Sequence, residues 1–405
     1  MAQFGHNIGD DYWLATYTQL TEYWQTLATE SPRMVLDTIG YTAEGRPHLM
    51  AIITSPENHA DLERHKSNSR RLALANDLSE QEAADLSRNA KAVVWIDGGL
   101  HATEVLGAAQ LMEMAYQMVS LHDTETHRFL DDVITLLVHA NPDGMELVSD
   151  WYMREPEPTQ RRTSGIPRLY QKYVGHDNNR DGYMINQIES RVVTRIDRHW
   201  EPQIIYNHHQ TAPFPARIWI PPFAEPISPN VHPLMWRTVN LIGMAMAQAL
   251  EERGQKGAMH MGSGFDNWYP GFLDHANNFH NVASFLTETG LYRYATPHFY
   301  TINDFPRGQR ELRPQSLYAS PWEGGWWRLG DAVAYMLTGS MATLDYAAKY
   351  KYDLLYNRYQ AGRDIISQFT EEPPYAYFVP QEQSDPVAAV ELLRRLAYNG
   401  IEVHQ

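Results

Sequence analysis

The sequence predicts an α/β fold: a mixed, mostly parallel twisted sheet with helices on both faces, followed by a truncated C-terminal α/β stub. Two observations carry this expectation. Short runs that are apolar almost throughout end in Gly, Asn or His turns, as in AVVWIDGG (92–99), VITLLVHANPDG (133–144), PQIIYNHHQ (202–210) and VASFLTETG (282–290). Strands covered on both faces read this way, because neither side alternates toward water. Helical stretches alternate with them, as at 103–119 and 232–253, which is the rhythm of βα units.

In chain order, Trp13, Leu14, Tyr17, Leu20, Tyr23, Trp24 and Leu27 recur at helical spacing and predict a helix over 11–28. Two short strands follow around MVLDTIGYT (34–42) and HLMAIITS (48–55), then a polar helical stretch from 57 to 89. The strand 92–99, the helix 103–119 and the strand with its turn at 133–144 come next. Residues 145–175 and 254–281 read as long connections, a length that in compact domains usually means function. Between them lie the strand 202–210, the strand RIWIPPF (217–223) and the helix 232–253, and the strand 282–290 follows. EEPPYAYFVPQEQSDP (371–386) reads as a Pro-rich linker, and AAVELLRRLAYNG with IEVHQ as a βα unit cut short. The expected division is an N-terminal helix over 1–34, a catalytic domain over 35–370, and a linker with the start of a truncated domain over 371–405, so the chain reads as part of a longer protein.

The 405 residues, 43% of them apolar and 20% charged, can bury a large core. A formal charge of −16 disfavours nucleic acid and anionic membrane surfaces. With no cysteine, thiol catalysis and Cys-ligated zinc are excluded, and any metal must sit on His and carboxylate. The first 30 residues lack the basic start and apolar run of a secretory signal, and no membrane-length apolar run occurs. A soluble chain is expected, and the sequence leaves compartment and oligomeric state open.

Three strand ends carry metal chemistry. GGLHATEVLG places His101 and Glu104 three apart where a strand meets a helix, a spacing at which both can converge on one ion. YNHHQ offers His208 or His209, but not both, since successive strand residues face opposite ways. SFLTETG ends a buried strand in Glu288, a carboxylate that must be paired, coordinated or put to work. The stretch GHDNNRDG (175–182) has two readings. Asp177, Asn179, Asp181 and Gly182 resemble the start of an EF-hand loop, but its twelfth position, which needs a bidentate Glu, is Ile188. Asn179 and Arg180 also form an amide–guanidinium fork suited to a carboxylate.

The ordered set of His101 and Glu104, NPDG (141–144), GHDNNR (175–180), the strand-end His209 and the strand-end Glu288 resembles the M14 family of zinc carboxypeptidases, the carboxypeptidase A type. The likeness runs over roughly 35–340, and it is similar to a bacterial branch carrying an additional C-terminal region. The resemblance implies one zinc ion on His101, Glu104 and His209, with Glu288 as general base. It implies Asn179 and Arg180 as the grip on the substrate's C-terminal carboxylate, and Asp177 as the carboxylate that orients His101. It further implies an arginine polarising the scissile carbonyl, best matched by Arg161 with Arg154 and Arg162 as rivals, and a mobile substrate-binding tyrosine, matched by Tyr269. One departure touches the ligand histidine: where the family often has Asp-x-His, this chain has Asn207 and then His208, so the register between His208 and His209 stays open.

The implied function is hydrolysis of the C-terminal peptide bond of peptides. The alternative is a zinc amidohydrolase or deacylase on the same fold, acting on an N-acyl amino acid or a cell-wall peptide. Either substrate carries a free carboxylate. Scattered aromatics, 11 Trp and 24 Tyr, read as packing rather than as a sugar-binding surface.

Overall fold

The computed structural model describes residues 3–166, 176–262, 264–290 and 293–404. Its strands are β1 (Met34–Tyr41), β2 (Pro47–Ile53), β3 (Ala92–Gly98), β4 (Val133–His139), β5 (Ile204–His209), β6 (Ile218–Trp219), β7 (Ala224–Ile227), β8 (Ala258–Met259), β9 (Asp266–Asn267), β10 (Ala283–Thr289), β11 (His298–Tyr300) and β12 (Gly325–Trp327). Eight of them form one sheet in the order β1-β2-β4-β3-β5-β10-β6-β8. The middle four, β4-β3-β5-β10, run parallel, while β1, β2 and β4 pair antiparallel on one side and β10 and β6 on the other.

The parallel strands are buried at every residue because helices cover both faces. Alternate side chains of β3 enter two different cores. Val94 and Ile96 join the helices Leu106–Ser120, Pro233–Glu252 and Leu329–Lys349, whereas Val93 and Trp95 join Val192, Ile196 and Trp200 of the helix Ile188–Trp200.

Several elements differ from the sequence expectation. The first helix begins at Tyr17, not 11, because Thr16 caps it in a reciprocal box with Gln19; Trp13 and Leu14 are buried ahead of it. The stretch 57–89 is three helices, Pro56–His59, Leu62–Leu74 and Glu80–Asn89. Residues from 145 are not a loop: a helix runs Pro142–Met153, with Asn141 accepting from Gly144 N and Pro142 in the first turn. NPDG therefore starts a helix. The remainder of that connection holds one short 3₁₀ helix, Pro158–Gln160, and is otherwise irregular to 166, and 167–175 lie outside the described residues. RIWIPPF yields only two strand residues, since Pro221 and Pro222 cannot donate to a ladder. Helices Leu329–Lys349 and Lys351–Glu371 were not anticipated. The last helix, Pro386–Tyr398, docks through Tyr398 Oη on Arg191 O (2.8 Å) and Asn399 Nδ2 on Tyr183 O (3.2 Å), and residues 399–404 form no strand.

Candidate metal centre

β3 ends at Gly98, and the chain turns sharply before its helix resumes at Leu106. A Cβ on Gly99, whose φ is +75°, would lie 2.1 Å from the His139 ring, so only glycine permits the turn to press onto the sheet edge. Within it Glu104 N donates to His101 O at 2.9 Å, which folds the two side chains toward each other.

β5 delivers the third group. It lies between β3 and β10, with Gly98 opposite His208 and Glu288 opposite His209. His209 Nδ1 lies 3.0 Å from Glu104 Oε2, and His101 Nδ1 lies 2.9 Å from Glu104 Oε1. Ligand atoms of His101, Glu104 and His209 all fall within 4.8 Å of one another. His208 points to the other face, where its Nε2 meets Ser340 Oγ at 2.9 Å and its ring lies tilted against Tyr206, 4.1 Å between centres. Strand alternation thus gives the cluster His209 and gives the core His208; burial holds His208 neutral, its pKa lowered to about 3.

Each imidazole has a carboxylate behind it. His101 Nε2 is 2.8 Å from Asp177 Oδ1, and His209 Nε2 is 3.6 Å from Asp274 Oδ2. Burial alone would lower the pKa of His101, but Asp177 and Glu104 outweigh it and lift the ring to about 9. Burial would likewise raise Glu104 and Asp177, yet His209 and His101 hold Glu104 at about 2 and His101 holds Asp177 at about 2. His209 is raised well above its ordinary value against the same burial penalty, chiefly by the Glu104 charge. A divalent cation bound there would displace the protons of both imidazoles. Two histidines and a carboxylate are also a donor set that suits zinc with an open position.

Glu288 is buried beside His209. Its Oε2 accepts from Thr211 N (2.6 Å) and Thr211 Oγ1 (2.8 Å). Burial pushes its pKa to about 7, with the positive field of His209 partly offsetting the rise. Asp177 caps the turn Asn178–Arg180, accepting from Asn179 N at 2.8 Å. Asn179 Oδ1 accepts from Leu273 N (2.9 Å). The half-exposed Arg180 guanidinium lies 3.8 Å from Asp177 Oδ2 and 4.5 Å from the centre of the Phe272 ring. Tyr269 meets that same ring edge-on at 5.2 Å and Tyr183 at 6.5 Å, so it stands in one aromatic group with Arg180.

The structure does not bring Arg161 into this set. Its guanidinium serves the carbonyls of Glu155 (2.9 Å) and Tyr12 (2.5 Å) and approaches Met153 Sδ. The Tyr12 carbonyl ties it to the N-terminal segment. Arg154 stacks on Trp151, 3.4 Å from the ring centre, and Arg162 is exposed. Asp181 accepts from Asn186 N and Gln187 N, both at 2.9 Å, and so closes its own turn. Sequence reasoning missed Thr211 and Asp274. Thr211 follows His209 by two residues and had a positional signal; Asp274, in a connection without strong periodicity, had none.

Residues 20–217 match the family model described as zinc carboxypeptidase, a match that ends before Tyr269, Asp274 and Glu288. Solved structures with this fold include a metallo-carboxypeptidase from Burkholderia cenocepacia (12% identical, TM-score 0.53, covering 84% of this chain and 71% of that one). Thrombin activatable fibrinolysis inhibitor is similar at 12% identity and TM-score 0.52, over 84% of this chain and 78% of that one. A metallo-carboxypeptidase from Pseudomonas aeruginosa, in complex with (2-guanidinoethylmercapto)succinic acid, is similar at 12% identity and TM-score 0.50, over 85% and 71%. At such identities the likeness is one of fold. No curated protein matches the sequence.

Proposed function

Because residues 20–217 match the zinc carboxypeptidase family model, we propose that this protein hydrolyses the C-terminal peptide bond of peptides, with zinc on His101, Glu104 and His209 and with Glu288 as general base. The observation that carries the reading is the convergence of that ligand set with a buried carboxylate from the adjoining strand. Zinc held there supplies a Lewis acid for the scissile carbonyl and brings the pKa of water toward about 7.

The chain's own groups do the rest. Thr211 occupies one oxygen of Glu288 with two donors, which leaves the other to take a proton from the attacking water and return it to the leaving amine. A base whose pKa lies near neutrality suits both transfers. Asn179 and Arg180 would hold the substrate's carboxylate, with Arg180 contributing charge and Asn179 its amide nitrogen. The Pseudomonas aeruginosa enzyme is in complex with a succinic acid derivative, a ligand whose carboxylates are what such a fork recognises.

Release of C-terminal amino acids from blocked dipeptides, measured with metal content before and after chelation, tests the proposal. Zinc-dependent release is expected, and a metal-free protein with full activity would overturn it. Activity confined to N-acyl amino acids would favour the deacylase alternative on the same residues.

A further inference from the structure

We infer that Asp274 is a positioning residue for the metal-binding histidine His209, holding the Nε2–H so that Nδ1 faces the metal. The inference rests on the zinc reading above and adds a residue that the family match over 20–217 does not reach.

The two histidines share one arrangement. Each turns Nδ1 toward Glu104, at 2.9 and 3.0 Å, and Nε2 toward an aspartate. For His101 the Asp177 contact is a formed hydrogen bond of 2.8 Å. For His209 the Asp274 oxygen is 3.6 Å away, within ion-pair reach and just outside hydrogen-bond range. An imidazole that ligates through Nδ1 carries its remaining proton on Nε2, so a carboxylate behind Nε2 selects that tautomer and fixes the ring plane.

Asp274 has little else to do. It is wholly buried, and among the described residues neither carboxylate oxygen has a hydrogen-bond partner; His209 Nε2 has none either. The neighbouring His275 is buried with both ring nitrogens unpaired, so it supplies no donor. A carboxylate in that position costs several kcal/mol unless a cation faces it, and a zinc-loaded His209 is such a partner. Its short helix, Leu273–Ala276, is anchored at both ends of the site: Leu273 N donates to Asn179 Oδ1 at 2.9 Å, and Ser284 Oγ donates to Asp274 O at 2.5 Å. Asp274 is therefore held by the turn that presents the substrate-binding pair and by the strand that carries Glu288.

The test is zinc affinity, read by competition with a chromophoric chelator on the full chain. D274N and D274A are each expected to bind zinc about 10- to 100-fold more weakly than the wild type, comparable to D177N on the His101 side. Wild-type affinity in either folded Asp274 variant would overturn the inference. If neither variant folds, nitrogen NMR of the zinc-loaded wild type decides. A protonated Nε2 and a metal-bound Nδ1 on His209 support the role; ligation through Nε2 refutes it. A wild-type chain that binds no zinc removes the zinc reading itself, whereas a zinc-binding wild type with unaffected Asp274 variants removes this inference alone.

Discussion

Glu288 and His209 are direct neighbours across the parallel strands β5 and β10, paired residue to residue at the carboxyl end of the sheet. The pairing puts a buried acid next to an imidazole of the candidate metal site without any loop having to position either. Glu288→Gln keeps the shape and the hydrogen-bonding capacity but removes the proposed base. Zinc content is expected to stay stoichiometric while kcat falls by about 10²–10⁴; a variant that retains turnover would show that another group takes the proton.

Alternation along β5 separates His208 from His209. His209→Ala should abolish stoichiometric zinc. His208→Ala should keep the metal and lower stability by roughly 1–3 kcal/mol, because it leaves Ser340 without its partner and opens a gap beside Tyr206. Metal analysis and chemical denaturation of the two variants distinguish these outcomes, and loss of zinc in His208→Ala alone would reverse the assignment.

Thr211 gives both of its donors to one oxygen of Glu288. These bonds favour the carboxylate and so lower its pKa against the larger effect of burial. In Thr211→Val the hydroxyl donor is lost, and the acidic limb of the kcat/KM profile is expected to move to higher pH. An unmoved limb would mean that Glu288 does not set it.

The proposed grip of Arg180 on a substrate carboxylate predicts a selective loss. Arg180→Ala should reduce kcat/KM on peptides with a free C-terminus by about 10- to 100-fold, the worth of a charge-assisted contact of roughly 1.5–3 kcal/mol. Zinc affinity should hardly change, and steady-state kinetics beside a metal titration checks both.

Acid should destabilise the fold through the buried histidines of β2 and β4. His48 is completely buried with Nε2 2.9 Å from His139 O, and burial lowers its pKa to about 4. Below the ordinary histidine pKa near 6.5 the unfolded chain binds a proton that the folded chain refuses, so stability falls as pH drops from about 6.5 to about 4, by about 3 kcal/mol for this residue. His139, lowered to about 3, acts in the same direction. His48→Gln should flatten the slope of unfolding free energy against pH in that window; an unchanged slope would place the acid sensitivity elsewhere.

Much of the site could be read from the chain because its parts are local signals: an apolar run with a ligand at its end, a His and a Glu three apart, an Asn–Arg pair in a turn. Periodicity narrowed His208 and His209 to one ligand, since a strand cannot aim both at one point. Which one required the register of β5 between β3 and β10, a property of three strands at once. The helix at Pro142 was written in its Asn cap and N-terminal proline, yet the glycine and aspartate read as a turn. Arg161 matched by order along the chain, whereas its position depends on Tyr12, about 150 residues earlier. Asp274 was not legible at all. An aspartate between Leu273 and His275 looks the same whether it faces water or is buried behind a histidine 65 residues away, because the energy that gives it a role, the cost of a buried charge without a cation, exists only once the chain has closed around it.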